Sequence, residues 1–434
     1  MRVLIASHAE KTHFLGMVPL AWALRAAGHE VVVASQPALM PTVAATGLPG
    51  VAVGRDHLLH SLLASGRGLE QTMGLAVPDG PGEEVVLPGD THPDTLSWDA
   101  LDEEARSNVH LWWKVINAPL VDGLVGFCRR WRPDLVVWEP LTFAAPVAAE
   151  SLGVPHVRFL WGLDLIGRAR HHHLARRPPD APRPDPLTDW MGHMARRSGT
   201  VFTERMTRGH LTLDPFPDPL ALDPVPGVDR LPVRYIPYNG RAVSPGWLAG
   251  ARSGRARVCL TLGATAVDRL HTGTGLDVNG LVRALAATGA EVVLALTPDQ
   301  LDALRDPPEG VVAAGPTPLH TLLPTCDAVV HHGGVGTLCT AMVHGVPQLV
   351  LPQVIAPMYI YDEPVLAERL DRQGAGLTVR SAVLEGGELT GMLARLLEGR
   401  EHREAARDLA AQALAMPGPG RTAHTLHHLT HTGV

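Results

Sequence analysis

The chain is 434 residues long, with 44 acidic and 37 basic side chains and a formal net charge of −7. That length favours two domains, and a content of 45% hydrophobic and 19% charged residues excludes a disordered chain. No block of Lys or Arg offers a track for nucleic acid, and no apolar run approaches the ~20 residues of a membrane span.

Residues 1–35 read as strand, turn, helix and strand. Residues 3–6 form a short buried strand, and residues 7–16 are expected to be a polar loop. A helix then carries Val18, Leu20, Ala21, Leu24 and Ala27 and stops at Gly28, which has no Cβ to clash in a left-handed cap. Residues 31–34 are the next strand. Short, wholly apolar strands alternating with helices indicate a parallel sheet covered on both faces. The same grammar returns at strand 134–138, helix 144–152 and strand 155–157.

Residues 64–100 are rich in Gly, Pro, Asp and Glu and read as a long loop. Residues 176–185 form a second irregular stretch. Between 214 and 232, Pro215, Pro217, Pro219, Pro224, Pro226 and Pro232 interrupt any regular element. That stretch is expected to link a first α/β domain, 1–213, to a second, 233–434, whose last helix is free to pack back on the first. The second half starts with strand 257–262 and a glycine loop at Gly263. It continues with strands 291–295, 311–314, 328–330 and 346–351, and with helices around 364–372 and 387–416. The expected fold class is therefore α/β, with two doubly wound halves and ligands bound where strand carboxyl ends face a cleft.

Cys128, Cys259, Cys326 and Cys339 lack CxxC spacing and read as small thiols in a reducing compartment. The N-terminus does not look like a signal peptide, so the expected location is cytoplasmic.

The sharpest local signal is the run His331, His332, Gly333, Gly334, Val335, Gly336 and Thr337, where a buried strand meets a glycine-rich turn and a helix. Free N–H groups and the positive dipole end at such a helix start make a site for phosphate. Thr337 is placed to cap that helix and donate its hydroxyl, and a His beside the turn adds a donor. The run is neither a Walker A loop nor a GxGxxG fingerprint. A ligand-free tight turn is the bland alternative. His171, His172 and His173 are adjacent and point in different directions, so they are not expected to share a metal. Trp112, Trp113 and Phe127 fit core packing better than a pocket lining.

Residues 331–337, followed by 344–348 and 374–376, resemble the donor-binding region of GT-B nucleotide-sugar glycosyltransferases. Residues 15–31, 34–39, 131–140 and 237–240 are similar to the bacterial members that attach deoxysugars to polyketide antibiotics. The resemblance implies two Rossmann-like domains facing across a cleft. It implies that His332 contacts the donor diphosphate, while Gly333, Gly334, Val335, Gly336 and Thr337 cradle it and Gly263 and Thr265 lie close to the phosphates. Pro316 and Thr317 stand where relatives often place an aromatic that stacks on the base. Asp362 matches an acid that bonds the sugar hydroxyls, and Glu363 departs from the Gln that usually follows it.

In the first domain the resemblance makes His13 the general base, with His8 its rival five residues away. It makes Glu139 the acid that orients the base, against a bland reading as a helix cap. Neutral imidazole suits proton removal near pH 7. The implied reaction is inverting transfer from a TDP-deoxysugar to a polyketide hydroxyl, with no metal or other cofactor. The implied partners are a cytochrome-P450-like auxiliary protein and a second copy of the chain. A GT-B epimerase or hydrolase, or a non-catalytic binding protein, remains an alternative, although His13 and the glycine-rich turn are both present.

Overall fold

A computed structural model describes residues 1–59, 92–241, 243–250, 254–263, 277–352, 361–380 and 386–432. Two compact units emerge from it. The first comprises residues 1–215, 222–234 and 417–434, and the second residues 216–221 and 235–416.

The first unit is built on a parallel sheet of β1 (Arg2–Ala6), β2 (Glu30–Ser35), β3 (Gly50–Ala52), β4 (Leu135–Trp138), β5 (His156–Phe159), β6 (Leu211–Asp214) and β7 (Arg230–Pro232). Its order is β3-β2-β1-β4-β5-β6-β7. Val3 sits beside Val31 on one side and Leu135 on the other. All four residues of β4 are buried, which is why their run is continuously apolar. The sheet grows in opposite directions from β1 and β4, so the loops after these two strands part at their carboxyl ends. A doubly wound sheet opens its ligand crevice at such a switch point. Those two loops carry His8, His13 and Glu139.

The second unit repeats the plan with β8 (Arg257–Thr261), β9 (Glu291–Leu294), β10 (Val311–Ala313), β11 (Ala328–His331), β12 (Gln348–Val350) and β13 (Gly376–Thr378). The order is β10-β9-β8-β11-β12-β13, all parallel. Its switch point falls between β8 and β11, and the loops there carry Gly263 and His332.

Several local expectations change. The 7–16 loop contains a helical turn, Lys11–Leu15, because the Glu10 side chain accepts from the Thr12 N–H at 3.4 Å and caps it. Within residues 92–100 the helix Trp98–Ser107 starts, capped by Ser97, while residues 64–91 of that expected loop lie outside the described residues. The prolines of 214–232 do not exclude a strand, since Arg230–Pro232 forms β7. It lies at the sheet edge, where Pro232 removes no ladder bond. The expected helix 387–416 is two, Gly386–Glu398 and Arg400–Ala415, broken at Gly399. A Cβ at Gly399 would lie 2.6 Å from the Arg395 carbonyl, so only glycine fits the break. As expected, the last helix, Pro419–Thr432, packs with the first unit, and the Arg234 N–H donates to Pro417 O at its approach.

Trp113 is buried against Phe143 and Trp190, and Phe127 stacks on Trp131, so both serve packing. All four cysteines are free. Among the described residues no helix is long and apolar enough to cross a membrane.

Candidate active site

Glu139 follows β4 directly and is fully buried. Five donors converge on its carboxylate. Oε1 accepts from His8 Nδ1 at 2.8 Å and from the Thr142 hydroxyl. Oε2 accepts from His13 Nδ1 at 3.1 Å, Trp161 Nε1 at 3.1 Å and the Leu141 N–H at 3.0 Å. Burial alone would raise this carboxyl. The positive field of His8 and the bonds from His13 and His8 override it and hold Glu139 well below the usual carboxylate range.

His13 projects from the Lys11–Leu15 turn, with Trp161 stacked on it at 4.1 Å between ring centres. Burial pushes its imidazole below the ordinary value, and the bond and charge of Glu139 only partly offset this. The ring is therefore neutral near pH 7. Its Nδ1–H is committed to Glu139, which leaves the Nε2 lone pair as its proton acceptor. His8 stands edge-on to His13 at 4.8 Å. The His8 side chain is 4% exposed against 13% for His13, so His13 is the more accessible of the pair. The loop is tied down from below: Gln36 accepts from the Ala9 N–H at 2.7 Å and donates to Ile116 O, and Thr142 accepts from the His8 N–H.

His8, His13 and Glu139 also form a group whose nitrogen and oxygen atoms lie within 4.8 Å of one another, close enough to be read as a metal triad. Both carboxylate oxygens already face N–H or O–H donors from Trp161, Leu141 and Thr142, which a cation would repel. The donor set fits a hydrogen-bonded His pair better than a metal. His172 and His173 turn to different carboxylates, Asp94 at 2.7 Å and Asp102 at 3.1 Å.

In the second unit, β11 ends in His331 and the chain turns through residues 332–334 into the helix Val335–Val343. His331 is structural. Its Nδ1 accepts from the Gly333 N–H at 3.1 Å and its Nε2 donates to Gln348 at 2.9 Å. His332 lies between two glycines. A Cβ at Gly334 would fall 2.4 Å from His332 Nε2, and one at Gly263 would fall 2.5 Å from Cε1. These glycines therefore make room for an imidazole. Gly333 adopts φ +103° and lets Glu363 approach, since its own Cβ would lie 3.2 Å from that of Glu363.

His332 is 8% exposed, and its Nδ1 is buried with no hydrogen-bond partner. Burial pushes its pKa down to about 4, so it is neutral near pH 7. The helix start has no side-chain cap. Thr337 is buried in the first turn, where its N–H donates to Gly334 O, so the expected cap by its hydroxyl is not made. An uncapped helix start beside a buried unpartnered imidazole is the arrangement an anion completes.

Asp362 is buried at the start of the helix Glu363–Gln373, close to this turn. Burial raises the Glu363 carboxyl above its ordinary value, although it accepts from the Tyr361 N–H at 2.7 Å. Thr317 is buried and donates to Ala314 O at 3.1 Å, while Pro316 is exposed on the turn after β10. Gly263, residues 314–317 and residues 332–337 thus share the carboxyl edge of the second sheet. Thr265 lies outside the described residues. No pattern in the sequence points to Trp161 or Thr142 as partners of Glu139. Their one hint is position, at the carboxyl ends of β5 and β4.

Two parallel doubly wound units, one with a carboxylate-bound imidazole at its switch point and the other with a glycine-rich strand-to-helix turn, have the plan of a GT-B glycosyltransferase. The models of the erythromycin biosynthesis protein CIII-like family match the chain with their N-terminal domain over residues 22–263 and their C-terminal domain over 279–429. The chain is 39% identical to 10-deoxymethynolide desosaminyltransferase of Streptomyces venezuelae, over 99% of its own length and 97% of that protein. It is 38% identical to aclacinomycin-T 2-deoxy-L-fucose transferase of Streptomyces galilaeus, over 99% and 96%. The crystal structure of glycosyltransferase VinC in complex with dTDP superposes with a TM-score of 0.85 at 35% identity, covering 100% of both chains. The protein belongs to the erythromycin biosynthesis protein CIII-like family and is a glycosyltransferase.

Proposed function

We propose that this enzyme moves a deoxysugar from a TDP-sugar to a hydroxyl of a polyketide aglycone, with inversion at the anomeric carbon. The acceptor and donor classes rest on the relatives, by name a 10-deoxymethynolide desosaminyltransferase and an aclacinomycin-T 2-deoxy-L-fucose transferase, and on VinC with dTDP bound. The observation that carries the mechanism is Glu139, buried and ionised, holding the neutral His13 by its Nδ1–H. His13 Nε2 takes the acceptor proton, the hydroxyl oxygen attacks C1, and the bond from C1 to the diphosphate oxygen breaks. Charge developing on the departing TDP is met by His332 and by the N–H groups of residues 334–336. Asp362 and Glu363 face the sugar, and Pro316 and Thr317 face the base. The proposed transfer uses no metal at Glu139, where donors from Trp161, Leu141 and Thr142 face the carboxylate oxygens.

Exchange of His13 for Ala should lower turnover by ~10²–10⁴-fold while leaving TDP affinity near normal. If His8→Ala has that effect and His13→Ala does not, the roles are reversed. A cytochrome-P450-like auxiliary protein is the proposed activator, supported by the likeness of residues 15–39 and 131–140 to the deoxysugar-transferring subgroup. A cytoplasmic location agrees with the lack of any membrane-spanning helix among the described residues.

A further inference from the structure

The segment 235–240 contains the run Pro237, Tyr238, Asn239 and Gly240, which neither candidate site absorbs. It touches both parts of the donor edge. Asn239 Oδ1 accepts twice from one residue, from the His320 N–H at 3.0 Å and from His320 Nδ1 at 2.9 Å. His320 lies in the short helix Leu319–Leu322, which follows the turn bearing Pro316 and Thr317 and has no side-chain cap of its own. Four residues earlier in the segment, the Tyr235 hydroxyl donates to Gly336 O at 3.4 Å, in the first turn of the helix behind the anion turn. Burial raises the Tyr235 phenol above its ordinary value, so it remains a donor. The segment thus bonds the helix that follows the 314–317 turn and the first turn of the helix that follows residues 332–334.

We infer that Asn239 is a positioning residue that fixes the nucleobase-reading turn, with Tyr235 bracing the diphosphate turn from the same segment. This rests on the proposed donor site. Inside the turn the Thr317 hydroxyl bonds Ala314 O, but the first N–H groups of the one-turn helix that follows have no partner within it. Asn239 supplies the acceptor, so the place of Pro316 and Thr317 is set by a residue some eighty positions earlier.

Calorimetry with TDP and with inorganic pyrophosphate separates the two turns, since pyrophosphate has no base. Asn239→Ala should weaken TDP about tenfold, from the loss of two bonds to a turn that must then be ordered on binding. Pyrophosphate affinity should stay unchanged. Asn239→Asp keeps an oxygen acceptor and should restore TDP affinity to within about threefold. His320→Ala retains the backbone bond and should show the smaller loss, and it gives the same reading should Asn239→Ala fold poorly. Tyr235→Phe should weaken both ligands equally. Equal losses of TDP and pyrophosphate in Asn239→Ala, or no loss of either, would overturn the inference. A wild-type protein that binds neither ligand would instead overturn the donor site on which the inference rests.

Discussion

Replacing His332 by Gln tests the anion turn most directly. Burial takes the imidazole from an ordinary 6.5 to about 4, a cost to its charged form of roughly 3 kcal/mol. A diphosphate placed against the unpartnered Nδ1 would reverse much of that cost, because a nearby anion favours the charged ring. Binding TDP near pH 6 should therefore draw up to one proton onto His332. In calorimetry the binding enthalpy should vary with the ionisation enthalpy of the buffer, and the slope counts protons. His332→Gln should lose that slope relative to the wild type, which also corrects for protonation of TDP itself. A hydrogen bond to a charged group is worth ~1.5–3 kcal/mol, so TDP affinity should fall roughly ten- to a hundredfold. Gln keeps the space between Gly263 and Gly334 filled, whereas Ala would leave a void and confuse the reading. Thymidine affinity should hardly change. An unchanged buffer slope together with unchanged TDP affinity would refute the placement of the diphosphate at this turn.

Stability should also depend on the same rings. His332 at about 4 and His331 at about 3 sit below their unfolded value, so the unfolded chain binds more protons between these values and pH 6.5. Their contribution is fully present above pH 6.5 and is lost as pH falls, at about 1.4 kcal/mol per pH unit for each group. The urea midpoint of His332→Gln should fall less steeply with acid than that of the wild type. Gly334→Ala should leave the fold intact but displace the His332 ring, which a Cβ would meet at 2.4 Å, and TDP affinity should fall while the melting temperature barely moves. Glu139→Gln should slow turnover and also lower the melting temperature, because an amide N–H₂ turned toward N–H donors leaves buried groups unsatisfied at ~1–3 kcal/mol. Glu363→Gln should retain activity, since the amide keeps an oxygen to accept the Tyr361 N–H and places no charge where burial disfavours one. Full wild-type activity without any auxiliary protein would remove that partner from the proposal.

The sequence by itself determined the alternation of short apolar strands with helices, and hence two parallel sheets, because wholly buried strands must be continuously apolar. It also marked the glycine-rich turn at residues 331–337, since glycines at a strand-to-helix junction let the backbone pack closely there. It could not assign that packing glycine by glycine. Only packing shows that Gly263 and Gly334, far apart in the chain, flank one imidazole, and that His331 is the structural member of its pair. It could not choose between His8 and His13 either. Tertiary structure brought both to one carboxylate and left His13 the more exposed. The five donors on Glu139 come from loops after three different strands, which parallel pairing aligns at one sheet edge. Such convergence depends on strand order, which no local pattern of residues encodes.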